Sequence, residues 1–117
     1  MTEKVRRLSV WWARVFVESS VNGEFCLTKR KTTRPVLIID NRAYLVYKFT
    51  TVMEHEGYRI RDLKSAGLSE QSLIRTDVLF PVVDSDLIKE VGELSTHDAE
   101  MLMEYLKEHP TRRIYTS

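Results

Sequence analysis

Short apolar stretches rich in β-branched and aromatic residues recur along this chain, and turn signals separate them. Residues 10–17 alternate across the two faces of a strand, with Ala13 and Val15 on one face and Trp12 and Arg14 on the other. Apolar runs this short are typical of strands rather than helices. About five to seven short strands joined by turns favour a small closed or half-closed barrel.

The clearest strand pair is predicted at residues 35–50. Pro35 is tolerated at the start of a strand, and Asp40-Asn41-Arg42 is a tight-turn signal between two apolar runs. A helical turn is predicted over residues 61–66, with Gly67 as its C-terminal cap. Further short strands are predicted at residues 58–60, 73–80 and 87–91.

Residues 18–33 predict a long connection between strands. Their first part is rich in turn residues, and their last part, Thr28–Thr33, is polar and basic. A short strand is predicted around Phe25–Leu27. Loops longer than about 12–15 residues in a small domain are usually functional or mobile, so this segment is a candidate binding element.

The last predicted element is a helix that begins after Ser95, a good N-cap, with Asp98 in the capping-box position. Its apolar residues follow the spacing of one buried face, and they are Ala99, Leu102, Met103 and Leu106. The prediction is therefore a mainly β fold with a C-terminal helix. We expect a single domain over residues 1–117, with loose tails at residues 1–8 and 111–117.

Composition limits the kinds of site that such a domain can carry. The net charge is only +1, so a site for a polyanion must come from local clustering of basic residues. The single cysteine, Cys26, excludes an intramolecular disulfide, and no residue spacing predicts a metal site. No export signal or membrane span is visible in the sequence. We therefore expect a soluble, cytoplasmic protein that needs no cofactor.

Four segments, in this order, resemble the MazF/PemK family of toxins. The first is Arg34-Pro35 before the apolar run 36–39, and the second is the pair Thr50-Thr51. The third runs from residue 66 to residue 77, AGLSEQSLIRTD, and the fourth from residue 91 to residue 98, VGELSTHD. The resemblance covers residues 10–107. The chain departs from the family at its first strand, in the basic stretch before Arg34 and in the segment after Thr51.

The resemblance implies a small SH3-like barrel of the PemK/MazF type that forms a homodimer. It implies an endoribonuclease that cuts single-stranded RNA without a metal, by attack of the 2′-hydroxyl on the adjacent phosphate. Arg34 and Thr50 are then the catalytic residues. A cognate antitoxin is the implied protein partner, and no membrane partner is implied.

The residue types suit this chemistry, because fixed donors aimed at developing charge are its main requirement. The arginine fork matches phosphate oxygens, and a threonine hydroxyl can donate to one. Six further residues are candidates for substrate binding: Lys29, Arg30, Lys31, Thr51, Glu24 and His55. Glu24 is a candidate support for Arg34 across the connection.

Simpler explanations exist for each candidate. Arg34 can be a surface arginine, Thr50 a strand-forming residue, and the basic run a solvated loop. The alternative function is a catalytically inactive barrel of the same fold that binds nucleic acid or a protein.

Overall fold

An antiparallel sheet that curls on itself dominates the computed structural model of the protein, which describes residues 5–116. Its strands are β1 (Ser9–Val21), β2 (Glu24–Asp40), β3 (Leu45–Thr50), β4 (Tyr58–Arg59), β5 (Leu73–Pro81), β6 (Leu87–Glu93) and β7 (Arg113–Ile114). The helices are α1 (Leu63–Ala66) and α2 (Thr96–Glu108), and a 3-10 turn spans Asp84–Asp86. Neighbouring strands follow the order β4-β5-β3-β2-β1-β6, and β7 pairs in parallel with β5. The prediction of a mainly β fold with a C-terminal helix is confirmed.

The prediction of a long connection at residues 18–33 is wrong, because these residues form the outer part of a β-hairpin. β1 and β2 stay paired as far as Val21 with Glu24. Asn22 and Gly23 make the turn with φ values of 52° and 80°, and a type I′ turn requires positive φ at both positions. None of these residues is fully buried, so no apolar pattern marks the strand in the sequence.

The hairpin predicted at residues 35–50 is confirmed. The Asp40 carboxylate accepts two hydrogen bonds of 2.9 Å from backbone N–H groups of the turn. Pro35 lies immediately before the pair formed by Val36 and Lys48, at one end of the ladder that joins β2 to β3. Its missing N–H therefore removes no hydrogen bond from that ladder.

The two faces of the sheet carry separate apolar cores. On one face Leu37 and Tyr47 pack with Leu102 of α2. On the other face Val36 packs with Phe80 in a second core. Neighbouring residues of β2 enter different cores because side chains alternate along a strand.

α2 begins as predicted, with the Ser95 hydroxyl accepting the N–H of Asp98 at 3.1 Å. Asp98 is fully buried, and its carboxylate accepts the Tyr58 hydroxyl at 2.7 Å and the N–H of Asp62 at 2.9 Å. A third bond of 3.1 Å comes from the N–H of Arg61. This carboxylate therefore ties the start of the helix to β4 and to the segment before α1.

Both segments predicted to be loose tails have contacts in the structure. Val5 is buried, and Leu8 donates its N–H to the carbonyl of Ile38 at 2.6 Å. At the other end β7 pairs with β5, and Arg113 forms two bonds of 3.0 Å with Glu18. An ion pair such as Arg113 with Glu18 cannot be predicted from the pattern of apolar residues. Residues 1–4 and 117 of the predicted tails lie outside the described residues.

Candidate phosphate-binding site

Arg34 and Thr50 lie at matching positions on two neighbouring strands. The β2–β3 ladder begins with Val36 paired to Lys48, and each of the two residues lies two positions beyond that pair. Since residues two apart on a strand share a face, Arg34 and Thr50 face the same side of the sheet. Both line one cavity of about 340 Å³. The structure therefore brings together the two side chains predicted to grip a phosphate.

The Thr50 hydroxyl is oriented by the chain that follows it. Its oxygen accepts the N–H of Val52 at 3.1 Å, which leaves the hydroxyl hydrogen to donate into the cavity. Thr51 and Ser72 add two more hydroxyl groups to the wall, and Ser72 donates its own to the carbonyl of Glu70 at 2.7 Å. The rest of the lining comes from Pro35, Phe49 and Val52.

The Arg34 side chain is held half-buried at the wall of this cavity. Its Nε is buried and has no hydrogen-bond partner among residues 5–116. Burial, followed by the nearby charge of Arg75, lowers the pKa of Arg34 from its ordinary value. An arginine still stays charged in a protein, so the guanidinium is a cation that gains from a nearby anion.

Lys48 lies beside this site, and it is not among the residues predicted from the sequence. Its side chain is buried, with 6% of the residue exposed. The ammonium donates to the carbonyl of Phe16 at 2.7 Å and lies 3.9 Å from the centre of the Phe80 ring. Burial, then the charges of Arg34 and Arg75, lowers the pKa of Lys48 to about 8, while Glu18 opposes that shift.

Arg75 completes a group of three cations on three adjacent strands. It is the β5 partner of Lys48 in the ladder, and it forms an ion pair of 2.9 Å with Asp77. Arg34 and Lys48 form no ion pair within the described part of the chain. We call Arg34, Lys48 and Arg75 the cation cluster. The sequence signal for it is a lysine between the apolar and aromatic residues of β3.

The predicted basic run does not join this site as a unit. Lys29 and Arg30 are exposed on the outer part of β2. Lys31 points elsewhere, because its ammonium contacts both carboxylate oxygens of Asp86 at 2.9 and 3.0 Å. Successive residues of a strand alternate between faces, so a continuous basic sequence does not make a continuous basic surface.

The remaining candidates occupy different places. Thr51 lines the cavity with Thr50, as predicted. Glu24 lies at the tip of the hairpin, ten residues before Arg34 on the same strand, which is roughly 33 Å at about 3.3 Å per residue. The predicted support of Arg34 by Glu24 is therefore not present. His55 is exposed in the loop after β3 and is not among the residues that line the cavity.

A second concave surface, of about 720 Å³, lies between β4 and α2. Tyr58, Arg61, His97 and Tyr105 are among its lining residues. The buried Asp98 behind it bonds to Tyr58 and to backbone N–H groups, so that carboxylate serves the junction between helix and strand.

Residues 5–116 contain no group of three or more histidine, cysteine, aspartate or glutamate side chains placed to hold a metal ion. Neither helix in that stretch is long and apolar enough to cross a bilayer. No protein-family model matches the sequence, and comparison with curated proteins gives no significant match.

Proposed function

We propose that the protein is a toxin-type endoribonuclease that cuts single-stranded RNA without a metal ion. The observation that supports this most is the shared cavity of Arg34 and Thr50, which offers a cation and a hydroxyl donor to one phosphate. The resemblance of residues 10–107 to the MazF/PemK family, which includes both of these residues, is the other support for the proposal. The proposal also includes the features that the resemblance implies, which are an SH3-like barrel, a homodimer and a cognate antitoxin.

In the proposed reaction the nucleophile belongs to the RNA. The 2′-oxygen forms a bond to phosphorus, the bond from phosphorus to the 5′-oxygen breaks, and the products are a 2′,3′-cyclic phosphate and a free 5′-hydroxyl. The proton of the 2′-hydroxyl passes to water, and the leaving 5′-oxygen takes a proton from water. The protein contributes orientation and charge stabilisation, which often account for most of the rate enhancement in such reactions.

Arg34 and Thr50 have separate tasks in this scheme. The Arg34 fork binds the two non-bridging oxygens, where negative charge grows as the 2′-oxygen attacks. Thr50 donates its hydroxyl to one of the same oxygens and fixes the phosphate in line. The charge of Lys48 and Arg75 nearby adds to the positive potential at this position.

One observation favours a second candidate, a barrel that binds RNA or a protein without cutting. The residues that line the cavity are Arg34, Pro35, Phe49, Thr50, Thr51, Val52 and Ser72. They include no histidine, aspartate or glutamate that can take the proton of the 2′-hydroxyl. Binding without cleavage is the outcome that this alternative predicts.

The decisive experiment is incubation of purified protein with end-labelled single-stranded RNA in the presence of a metal chelator, with the ends mapped by primer extension. We expect cleavage that leaves a cyclic phosphate and a 5′-hydroxyl. Arg34→Ala should abolish it, and Arg34→Lys, which lacks the fork, should restore little. Arg42→Ala is the matched control, since Arg42 is exposed in the turn between β2 and β3. Cleavage that needs a metal, or that survives Arg34→Ala, would contradict the proposal.

A further inference from the structure

Lys48 is a buried cation without a carboxylate partner in the described chain. Burying an ammonium in this way is costly, and an apolar side chain of similar size would generally serve stability better. The bonds that Lys48 has, to the Phe16 carbonyl and to the Phe80 ring, hold it in place but do not neutralise it. Its position beside the cavity of Arg34 and Thr50 is therefore the feature that needs a physical explanation.

The charged groups around Lys48 come from four strands. β2 supplies Arg34, and β5 supplies Arg75 with its partner Asp77. β1 supplies Glu18, whose carboxylate is also bound by Arg113 of β7. The segment at β7 also adds the hydroxyl of Tyr115 on the same carboxylate at 2.6 Å. Glu18 is thus paired with Arg113, and within the cation cluster Asp77 offsets the charge of Arg75 alone. Arg34 and Lys48 have no carboxylate partner among residues 5–116, so the cation cluster keeps an excess of positive charge.

We propose that Lys48 is a positioning residue whose protonation is coupled to occupancy of the Arg34–Thr50 cavity by a phosphodiester. The proposal rests on the proposed function only in taking a phosphodiester as the ligand of that cavity. Lys48 does not line the cavity, so it acts through Arg34 and through the field inside the site.

Proton binding by Lys48 and anion binding in the cavity are linked. In the free protein, burial and the repulsion from Arg34 and Arg75 bring the pKa of Lys48 to about 8. A phosphodiester anion beside Arg34 offsets that repulsion, so it favours the protonated form and raises the pKa of Lys48. Coupling is reciprocal, and protonated Lys48 must therefore bind the anion more tightly than neutral Lys48 does.

The expected effect is a fall in affinity as the pH rises through the pKa of Lys48. If occupancy raises that pKa by about one unit, affinity falls about tenfold between roughly pH 7 and pH 10. The suitable probe is a single-stranded deoxyoligonucleotide, which has no 2′-hydroxyl and whose phosphodiesters stay ionised over this range. Its dissociation constant is measured at fixed ionic strength.

Two variants of Lys48 and one control variant complete the test. Lys48→Met should bind the deoxyoligonucleotide more weakly at neutral pH and without the pH dependence. Lys48→Arg keeps the charge at every pH and should bind at high pH as tightly as at neutral pH. Lys64→Met changes an exposed lysine and should keep the wild-type profile. A wild-type profile as flat as that of Lys48→Met would overturn the proposal, and so would failure of the wild type to bind the probe.

A second measurement does not depend on the variants folding. The pKa of the Lys48 ammonium is followed by NMR in the wild-type protein, with and without the deoxyoligonucleotide. We expect a value near 8 for the free protein and a higher value for the complex. A pKa that the probe leaves unchanged would overturn the coupling.

The two proposals fail in distinguishable ways. If RNA is cut and Arg34→Ala stops the cutting, but the pKa of Lys48 does not respond to the probe, the coupling is wrong and the nuclease assignment stands. If no RNA is cut but the probe raises the pKa of Lys48, the coupling stands and the site is a binding site without catalysis.

Discussion

Arg34 on β2 and Thr50 on β3 lie on the same face of the sheet, each two positions beyond the pair of Val36 with Lys48, and line one cavity. The two residues are therefore distant in the sequence but lie on neighbouring strands of the sheet. A guanidinium and a hydroxyl on adjacent strands can approach one phosphate from two sides, and rigid strands hold such groups more accurately than loops do.

The Thr50 hydroxyl gives the first prediction. Thr50→Val keeps the shape of the side chain but removes the donor, and we expect the rate of RNA cleavage to fall about 10²-fold. Thr50→Ser keeps the hydroxyl and should keep much of the rate. The measurement is single-turnover cleavage of end-labelled RNA. Thr33→Val is the control, since Thr33 is exposed on β2 and its side chain faces away from Arg34; equal rates for Thr50→Val and wild type would remove Thr50 from the mechanism.

Lys48 gives a prediction on stability. Its pKa is about 8 in the folded protein and about 10.5 when unfolded, so the unfolded state binds more protons between these values. The free energy of unfolding of the wild type should therefore rise relative to Lys48→Met as the pH goes from about 8 to 10.5, by at most on the order of 3 kcal/mol. Urea unfolding at a series of pH values measures this difference. A constant difference across the range would mean that Lys48 titrates normally.

Asp98 gives a prediction in the acid range. Burial raises the pKa of this carboxyl, but hydrogen bonds from the Asp62 N–H, the Tyr58 hydroxyl and the Arg61 N–H outweigh burial and hold the pKa below 3.8. The contribution of Asp98 to stability is therefore present above pH 3.8 and is lost as the pH falls through the lower, folded value. Asp98→Asn should cost about 2 kcal/mol at neutral pH.

The loss caused by Asp98→Asn should shrink as the pH falls below 3.8, because the contribution of the ionised wild-type carboxylate is lost in that range. Thermal unfolding at neutral pH and at a series of pH values below 3.8 checks this. Glu100→Gln, on the exposed side of α2, is the control and should change little. A loss for Asp98→Asn that stayed the same in acid would show that the charge of Asp98 does not matter.

Glu18 anchors the end of the chain. Its carboxylate binds the Arg113 fork through two bonds of 3.0 Å and the Tyr115 hydroxyl through one of 2.6 Å. Glu18→Gln removes the charge from all three bonds, and we expect a loss of about 1–3 kcal/mol. Hydrogen exchange at residues 112–115 should become faster, while exchange in α2 stays slow. Glu24→Gln, at the exposed hairpin tip, should leave both unchanged, and slow exchange of residues 112–115 in Glu18→Gln would contradict this role.

Gly92 permits the contact between β6 and α1. A Cβ at this position would lie 2.4 Å from the Ser65 carbonyl oxygen and 2.4 Å from the carbonyl carbon of Ala66. Backbone atoms cannot move aside as a flexible side chain can, so Gly92→Ala should cost about 3 kcal/mol, at the upper end of overpacking costs. Gly23→Ala meets no atom within 4 Å and should cost about 1 kcal/mol through its positive φ alone. Thermal unfolding compares the two variants, and an equal loss would exclude the proposed clash.

The elements that the sequence predicts well are those in which local signals agree. The hairpin at 35–50 combines apolar runs with a turn that Asp40 stabilises, and α2 combines the Ser95 cap with one apolar face. The hairpin tip is different, because Asn22 and Gly23 are a strong turn signal but the strands beside them have no buried face. Tertiary contacts with the C-terminal segment hold that ribbon in place, and a local pattern does not contain them.

The candidate site divides in a similar way. Arg34 and Thr50 are predicted from the resemblance alone, since no local pattern in the sequence indicates that the two residues lie close together. The position of Lys48 beside Arg75 depends on the register between β3 and β5, and register is a property of the folded sheet. The charge of Lys31 makes it a candidate in the sequence, but its pairing with Asp86, 55 residues away, is visible only in three dimensions.

The two-residue turn at Asn22 and Gly23 also has a consequence for the order of folding. Hairpins with such turns close in about 1–10 μs, because few residues must be ordered before the first pairs form. β6 pairs with β1 only after Glu93 and Ser9 come together. Closing the long loop between these two residues costs more chain entropy than closing the β1–β2 turn. We therefore expect the β1–β2 ribbon to form early as a template, and the docking of β6 to limit the overall rate of folding.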